Sequence, residues 1–166
     1  MGLWTFPSPV VDGLPYRELV PIGPLPGPVG KLTRGQQIER AAQASAAMPR
    51  TPAPLYGTIL AAYRQMLATY QPHRTNAVMV LTAGVDRDPG DISAATLVRD
   101  LQVIYDPRRP VRIVAIMLGR TGDLGALQQI AATTSGQAID ITRYSQLGQV
   151  MYQAMSHALC QPSCPG

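Results

Sequence analysis

Lysine, phenylalanine and tryptophan each occur once in this 166-residue chain, at Lys31, Phe6 and Trp4. Charged residues make up 14% of it, against roughly 25% in an ordinary soluble domain. The net charge of +4 is carried almost wholly by arginines, and these are dispersed, with no basic run beyond Arg108-Arg109. A nucleic-acid footprint needs a basic stripe or patch, so no nucleic-acid partner is expected. No stretch reaches the ~18 consecutive uncharged apolar residues that span a bilayer. The N-terminus shows no basic region followed by a long apolar run, so no secretory signal or transmembrane segment is visible, and direct membrane insertion by this chain is not expected.

Several catalytic signatures are also missing. No Gly-x-Gly-x-x-Gly follows an apolar strand, and the glycines of Gly119-Arg-Thr-Gly-Asp-Leu-Gly125 fit neither a dinucleotide fingerprint nor a phosphate loop with its Lys-Ser/Thr. No serine sits in Gly-x-Ser-x-Gly. His73 follows Pro72 in a loop, and His157 reads as a helix surface residue rather than a base. The chain is therefore not expected to be an enzyme. The two cysteines, Cys160 and Cys164, have neither a histidine nor a second cysteine pair at metal-ligand spacing. They could close a small disulfide loop, which would suggest an oxidising compartment, or remain two free tail thiols.

What is present is a 46% apolar chain long enough to bury a core, since about 150 residues hide roughly 70% of their unfolded surface. Leu3–Phe6 and Tyr16–Ile22 read as extended pieces, separated by Pro7, Pro9, Gly13 and Pro15. The Pro/Gly segment from Gly23 to Gly30 has no helix or strand capacity. Gln36–Ala47 is Ala-rich and helical, and Pro49 ends it. Leu55, Ile59, Ala62, Tyr63, Met66 and Tyr70 form one face of an amphipathic helix. Ala77–Thr82 and Val111–Leu118 are near-continuous apolar runs, as in parallel strands covered on both faces. Helices are expected over Ile92–Tyr105, from Asp123 to a stop at Gly136, and over Ser145–Leu159, with a short strand at Ala138–Ile141. Strands and helices alternate strictly from residue 55, which predicts a Rossmann-like, doubly wound, mostly parallel α/β domain over residues 1–159, followed by a Cys-containing tail, 160–166. Ligands of such sheets bind outside the carboxyl ends of the strands, here Thr82-Ala83-Gly84 and Leu118-Gly119-Arg120.

Thr51-Pro-Ala-Pro-Leu-Tyr-Gly57, opening a helix, is similar to the motif Thr-Pro-Leu-Tyr-Asp of von Willebrand factor A domains. Val80-Leu-Thr-Ala-Gly84 is similar to that family's Leu-Thr-Asp-Gly, and Asp123–Ala131 with Thr134-Ser-Gly-Gln-Ala138 resembles its late helix and strand. The likeness covers nearly the whole chain and is nearest to bacterial proteins that join a solute-binding-like domain to a C-terminal von Willebrand A domain. It implies a sheet of that type truncated at its N-terminus, because the family's first strand and its Asp-x-Ser-x-Ser turn have no counterpart here.

That family holds a divalent cation with the Asp-x-Ser-x-Ser turn, a threonine in the second loop and an aspartate in the third. Hard cations want a near-octahedral set of oxygens. Ala53 stands at the threonine position, with Thr51 two residues away, and Ala83 stands at the aspartate position, with Asp86 and Asp88 displaced along the loop. The resemblance therefore implies a non-catalytic, adhesion-like protein-interaction domain with a degenerate metal-ion-dependent adhesion site. Its partner would be a protein, its location extracytoplasmic or in the cell envelope, and its partner-binding rim Thr51, Thr58, Thr82, Asp86, Asp88 and Arg120. No cofactor is expected. If Mg²⁺ or Mn²⁺ were held, Thr51 and Asp86 would hold it. The alternatives are a metal-dependent adhesion module whose remaining ligands lie upstream of Met1, and a small α/β enzyme or nucleotide binder. The missing strand lies mid-sheet in the family, so the chain is expected to be the C-terminal piece of a longer protein or one whose start has been placed too late. The remaining sheet would show a gap, or a collapsed pairing between Leu3–Phe6 and Ala77–Thr82, with an unpaired edge able to associate.

Overall fold

Proline and glycine punctuate the first third of the chain so densely that only short strands form there. The computed structural model describes residues 1–6, 14, 16–24, 26–45, 54–83, 88–119 and 122–159. They fall into two compact units, Met1–Thr58 with Asp86–Gly90, and Ile59–Val85 with Asp91–Gly166.

In the first unit, β1 (Leu3–Thr5) pairs antiparallel with β2 (Arg17–Val20), setting Trp4 opposite Glu18. The Trp4 indole Nε1–H donates to Glu18 Oε1 at 3.1 Å, and its ring stacks on Tyr16 with centroids 4.3 Å apart. A second hairpin joins β3 (Pro28–Val29) to β4 (Leu32–Thr33). Its two-residue turn starts at Gly30 with φ +63°, a conformation that glycine adopts without steric cost. Helix α1 (Arg34–Ser45) follows at once. Thr33 Oγ1 accepts from the Gln36 N–H at 3.3 Å while Gln36 Oε1 accepts from the Thr33 N–H at 2.9 Å, a reciprocal capping box. The Arg34 guanidinium donates to the carbonyls of Pro21 and Pro24, tying down the Pro/Gly segment.

Helix α2 (Leu55–Ala68) begins in the first unit and runs into the second. The turn after it is held by Asn76, 7% exposed, whose amide donates to the carbonyls of Gln71 and Arg74 and whose Oδ1 accepts from the Gln71 N–H. Then come β5 (Ala77–Thr82), α3 (Ala94–Ile104), β6 (Arg112–Leu118), α4 (Leu124–Thr133), β7 (Gln137–Ile141), a 3-10 turn (Tyr144–Gln146) and α5 (Leu147–Leu159). The three strands form one parallel sheet in the order β5-β6-β7, with Val80 beside Ala115 and Ala115 beside Ala138. Residues Ile113–Met117 of β6 are all buried, as expected for a central strand covered on both faces. Helix α4 packs on α3, β6 and β7, burying Leu127, Ile130 and Ala131. Leu97 and Leu101 of α3 are fully buried. This is a mixed α/β architecture with a three-stranded parallel sheet flanked by helices, compatible with a Rossmann-like fold.

Four local expectations are corrected. Met79 and Leu81 are 36% and 43% exposed while Val78 and Val80 are buried, so β5 alternates instead of being covered on both faces. The exposed positions lie two residues apart and so share one face of β5. The Gly23–Gly30 segment does contribute a strand, β3, because Gly30 supplies the turn. α1 starts two residues early, at its threonine cap. Gly136 is not the left-handed stop of α4: Ser135 is, with φ +56°. The Gly136 N–H donates to Ala131 O and the Ser135 N–H to Ala132 O, the 6→1 and 5→2 bonds of a Schellman close. Glycine is needed at 136 for another reason, since a Cβ there would lie 1.9 Å from the Ile113 carbonyl oxygen. The collapsed pairing of β1 with β5 is not formed among the described residues.

The joint between α4 and β6 yields a graded test. Thr134, 1% exposed, accepts the Ile113 N–H at 2.9 Å and donates to Ala131 O at 3.1 Å. Thr134→Val leaves that buried N–H unpaired and is expected to cost about 1–3 kcal/mol. Gly136→Ala is expected to cost about 3 kcal/mol by overpacking. Ser135→Gly relieves the left-handed strain and is expected to gain up to about 1 kcal/mol. Urea denaturation of the three variants measures all of this, and a stabilised Gly136→Ala would contradict the close approach.

Candidate functional site

Parallel strands of an open α/β sheet present their carboxyl ends together, and loops leaving those ends are where ligands bind. In the second unit these ends are Thr82-Ala83 of β5, Leu118-Gly119 of β6 and Ile141 of β7. Gly119, φ +86°, turns the chain while its N–H donates to the Ile141 carbonyl at 2.9 Å, which ties the end of β6 to that of β7. The helices that follow β5 and β6 are capped by their own side chains. Ser93 Oγ accepts from the Thr96 N–H at 3.1 Å, and Asp123 Oδ1 accepts from the Ala126 N–H at 2.9 Å. A carboxylate at the start of α4 occupies the position an anionic ligand would take and repels it.

The anticipated rim residues are distributed as follows. Thr51, Asp86 and Arg120 lie outside the described residues, as do Cys160 and Cys164. Thr58, in the first unit, is 4% exposed and its hydroxyl donates to the Pro54 carbonyl at 2.7 Å, so it caps the first turn of α2 and offers no open hydroxyl. Asp88, also in the first unit, is half-buried and its Oδ1 accepts from the Gly90 N–H at 2.9 Å, the self-bonded form of an Asp-Pro-Gly turn. Thr82, in the second unit, is half-buried at the last position of β5. Ala83 next to it is exposed and has no side-chain oxygen. Among the described residues no group of three or more His, Cys, Asp or Glu side chains is placed to hold a metal ion. Asp91, near Asp88 in sequence, accepts from the Ile92 N–H at 2.8 Å.

One polar group escaped the sequence reading. Tyr63 is fully buried, and its hydroxyl has no hydrogen-bond partner among the described residues. Burial pushes its phenol up to about 12, with Tyr105 and the Asp106 carboxylate adding to the shift. Asp106 itself is held below the usual carboxylate range by the Arg109 guanidinium, 2.8 Å away, and the Arg108 N–H. Helical spacing put Tyr63 on the buried face of α2, but nothing in the spacing marks a hydroxyl without a partner.

Against this geometry stand the comparisons with known proteins. No family model matches the chain. It is 31% identical over 136 residues, 82% of its length, to uncharacterized proteins from two strains of Mycobacterium tuberculosis, CDC 1551 / Oshkosh and H37Rv. It spans 19% of the length of those relatives. The crystal structure of an uncharacterized membrane spanning protein from Vibrio fischeri is similar over 86% of this chain and 70% of that one, with a TM-score of 0.40 and 11% identity. A likeness that weak carries no argument. Among the described residues of this chain no helix is long and apolar enough to cross a membrane.

The Tyr63 phenol gives a pH test. An unfolded tyrosine loses its proton near its ordinary value of about 10, whereas the folded one keeps it to about 12. Below that window the group adds no pH dependence. Inside it the folded state holds the extra proton, so stability falls as pH rises, by up to about 1.4 kcal/mol per pH unit. Tyr63→Phe is expected to be within about 1 kcal/mol of the parent at neutral pH, because it removes an unpartnered hydroxyl. It should also flatten the fall between these two values. Urea melts of both proteins at neutral pH and near pH 11 decide it, and equal alkaline losses would show that Tyr63 is not the group responsible.

Proposed function

We propose that this chain is a non-catalytic protein-interaction domain of von Willebrand A type with a degenerate metal-ion-dependent adhesion site, working in an extracytoplasmic or cell-envelope setting. The observation that carries the reading is Ala83, exposed at the carboxyl end of β5, where the resembled family places an aspartate. The strand order supports the location. The crossovers β5-α3-β6 and β6-α4-β7 step across the sheet in the same direction. A reversal of strand order, which opens the crevice of a doubly wound sheet, can then fall only outside β5 or β7, and Ala83 ends β5. The self-capped helix starts, one of them by Asp123, count against a nucleotide or other anionic ligand. Contact with a protein partner would then rest on the shape and polar groups of the strand-end loops.

A second reading remains, favoured by the half-buried acidic turn that bears Asp88 and Asp91 and by the 19% share of its relatives that the chain spans. In that reading the domain is a Mg²⁺- or Mn²⁺-dependent adhesion module whose further ligands lie outside this sequence.

Thermal melts with and without Mg²⁺ or Mn²⁺ separate the two. A ligand at 100 times its dissociation constant adds about 2.7 kcal/mol, an easily visible shift. The degenerate-site reading expects no shift at millimolar metal. A clear shift that disappears in Asp86→Ala or Thr51→Ala would establish the metal-dependent module instead.

A further inference from the structure

Arginines that stand apart in the sequence meet at one end of the sheet in the second unit. The parallel register sets Ala77 of β5 beside Arg112 of β6, so the turns leading into these strands emerge side by side at their amino ends. The Arg112 N–H, donated to the Asn76 carbonyl at 3.2 Å, joins the two turns. One turn carries Arg74, the other Arg108 and Arg109. Residues 71–75 and 107–110 are all exposed, so both turns stand out from the fold. Asp106 is the only acidic residue in either turn, and Arg109 pairs with its carboxylate at 2.8 Å. Arg74 and Arg108 form no ion pair among the described residues. The other acids of this unit lie elsewhere. Asp100 pairs with Arg99 on α3, Asp91 and Asp123 precede the helices that follow β5 and β6, and Asp140 sits in β7 beside Met117.

We propose that this basic end of the sheet docks on the surface of an anionic lipid bilayer, by charge and shallow apolar contact, with no helix inserted. Three observations select a bilayer over other polyanions. The arginines share their turns with exposed Pro72, Pro107 and Pro110, and Val103, in the last turn of α3, is 79% exposed, more than any other large hydrophobic residue described. A headgroup layer receives cationic and apolar side chains together, whereas an acidic peptide or free phosphate offers nothing to the apolar ones. A protruding pair of turns meets a surface, whereas an extended peptide is held along a sheet edge or in a groove. Tyr70 and Tyr105, the aromatics beside these turns, are half-buried and give no open platform for stacking bases. Both turns are fixed in advance: Asn76 makes three side-chain hydrogen bonds, and Asp106 Oδ1 accepts the Arg108 N–H at 2.9 Å. Docking therefore orders little beyond the arginine stems. This surface lies at the opposite end of the strands from Ala83, so the proposal does not rest on the interaction-domain reading, and the metal melts leave it untouched.

Co-sedimentation of the 166-residue chain with vesicles tests it. Binding is expected to phosphatidylcholine vesicles containing about one third phosphatidylglycerol, with little to phosphatidylcholine alone, and should weaken at least about fivefold from about 0.05 to about 0.3 M salt. Arg74→Gln and Arg108→Gln should each weaken binding about fivefold. Val103→Ser should weaken it about threefold by removing apolar contact. Arg143→Gln removes the same charge from an exposed site beyond the carboxyl end of β7 and should change binding less than about twofold. Circular dichroism should be unchanged in all four variants. Polyglutamate, duplex DNA and inorganic phosphate, each at the charge concentration of the anionic lipid, should compete only weakly. Failure to bind the anionic vesicles overturns the proposal, as does equal binding to neutral ones. So does an Arg143→Gln loss as large as that of the turn variants, or a Val103→Ser variant that binds like the parent. Tighter binding to polyglutamate or DNA, or full displacement by phosphate, assigns the arginines to another partner and overturns it too.

Discussion

The second unit depends on one constraint: β6 must be sealed on every side. Five consecutive buried residues, Ile113–Met117, leave no face of this strand for water. Its backbone must then find partners on both edges, since a buried unpaired N–H or C=O costs about as much as a lost hydrogen bond. β5 and β7 supply them in parallel register. Parallel neighbours require crossovers, and α3 and α4 are those crossovers. The register with β7 starts only at Val114, which would strand the Ile113 N–H, and the buried Thr134 hydroxyl accepts it instead. The Schellman close at Ser135 and the close approach of Gly136 to the Ile113 carbonyl follow from bringing the end of α4 to that point.

That hierarchy explains what could be read from the sequence. The long apolar runs and the helices between them were legible, because burial on two faces and 3.6-residue periodicity leave marks over many residues. The order of strands and helices from residue 55 onward therefore came out in full. Features decided by a single group did not. The capping box of Thr33 and Gln36 has a sequence signature but sits next to a Pro/Gly segment that hides it. Ser135 adopts a conformation that composition assigns to the neighbouring glycine, and only the distance to Ile113 explains why glycine sits one residue later. The alternation of β5 depends on which of its two faces is covered. Its own residues, Ala-Val-Met-Val-Leu-Thr, are apolar throughout and cannot reveal it.

The candidate site was less legible than the fold. Its location followed from strand ends, which are set by the scaffold, but individual roles depend on exposure. Thr58 shows the limit: a hydroxyl in a motif-like position turned inward to the Pro54 carbonyl. Asp88 and Asp91 show another, since each carboxylate already accepts a backbone N–H in its own turn. A carboxylate satisfied locally in this way must give up or share that bond to serve a cation or a partner, whereas an alanine such as Ala83 has nothing to give up. Residue type at a loop position thus says what chemistry is available, and local hydrogen bonding says how much of it is already in use.

The same reasoning separates scaffold from contact surface at the carboxyl ends of the strands. Gly119, Ser93 and Asp123 spend their polar groups inside the fold, the first across to β7 and the other two on their own helices. At the tip of β5, Thr82 is half-buried and Ala83 exposed, with the apolar pair Met79 and Leu81 behind them. Among the described residues, this surface brings together no convergent charges of the kind that fix a small polar ligand or hold a phosphate. It does present the apolar side chains of Met79 and Leu81. That character is in keeping with the proposed protein partner more than with a small polar ligand.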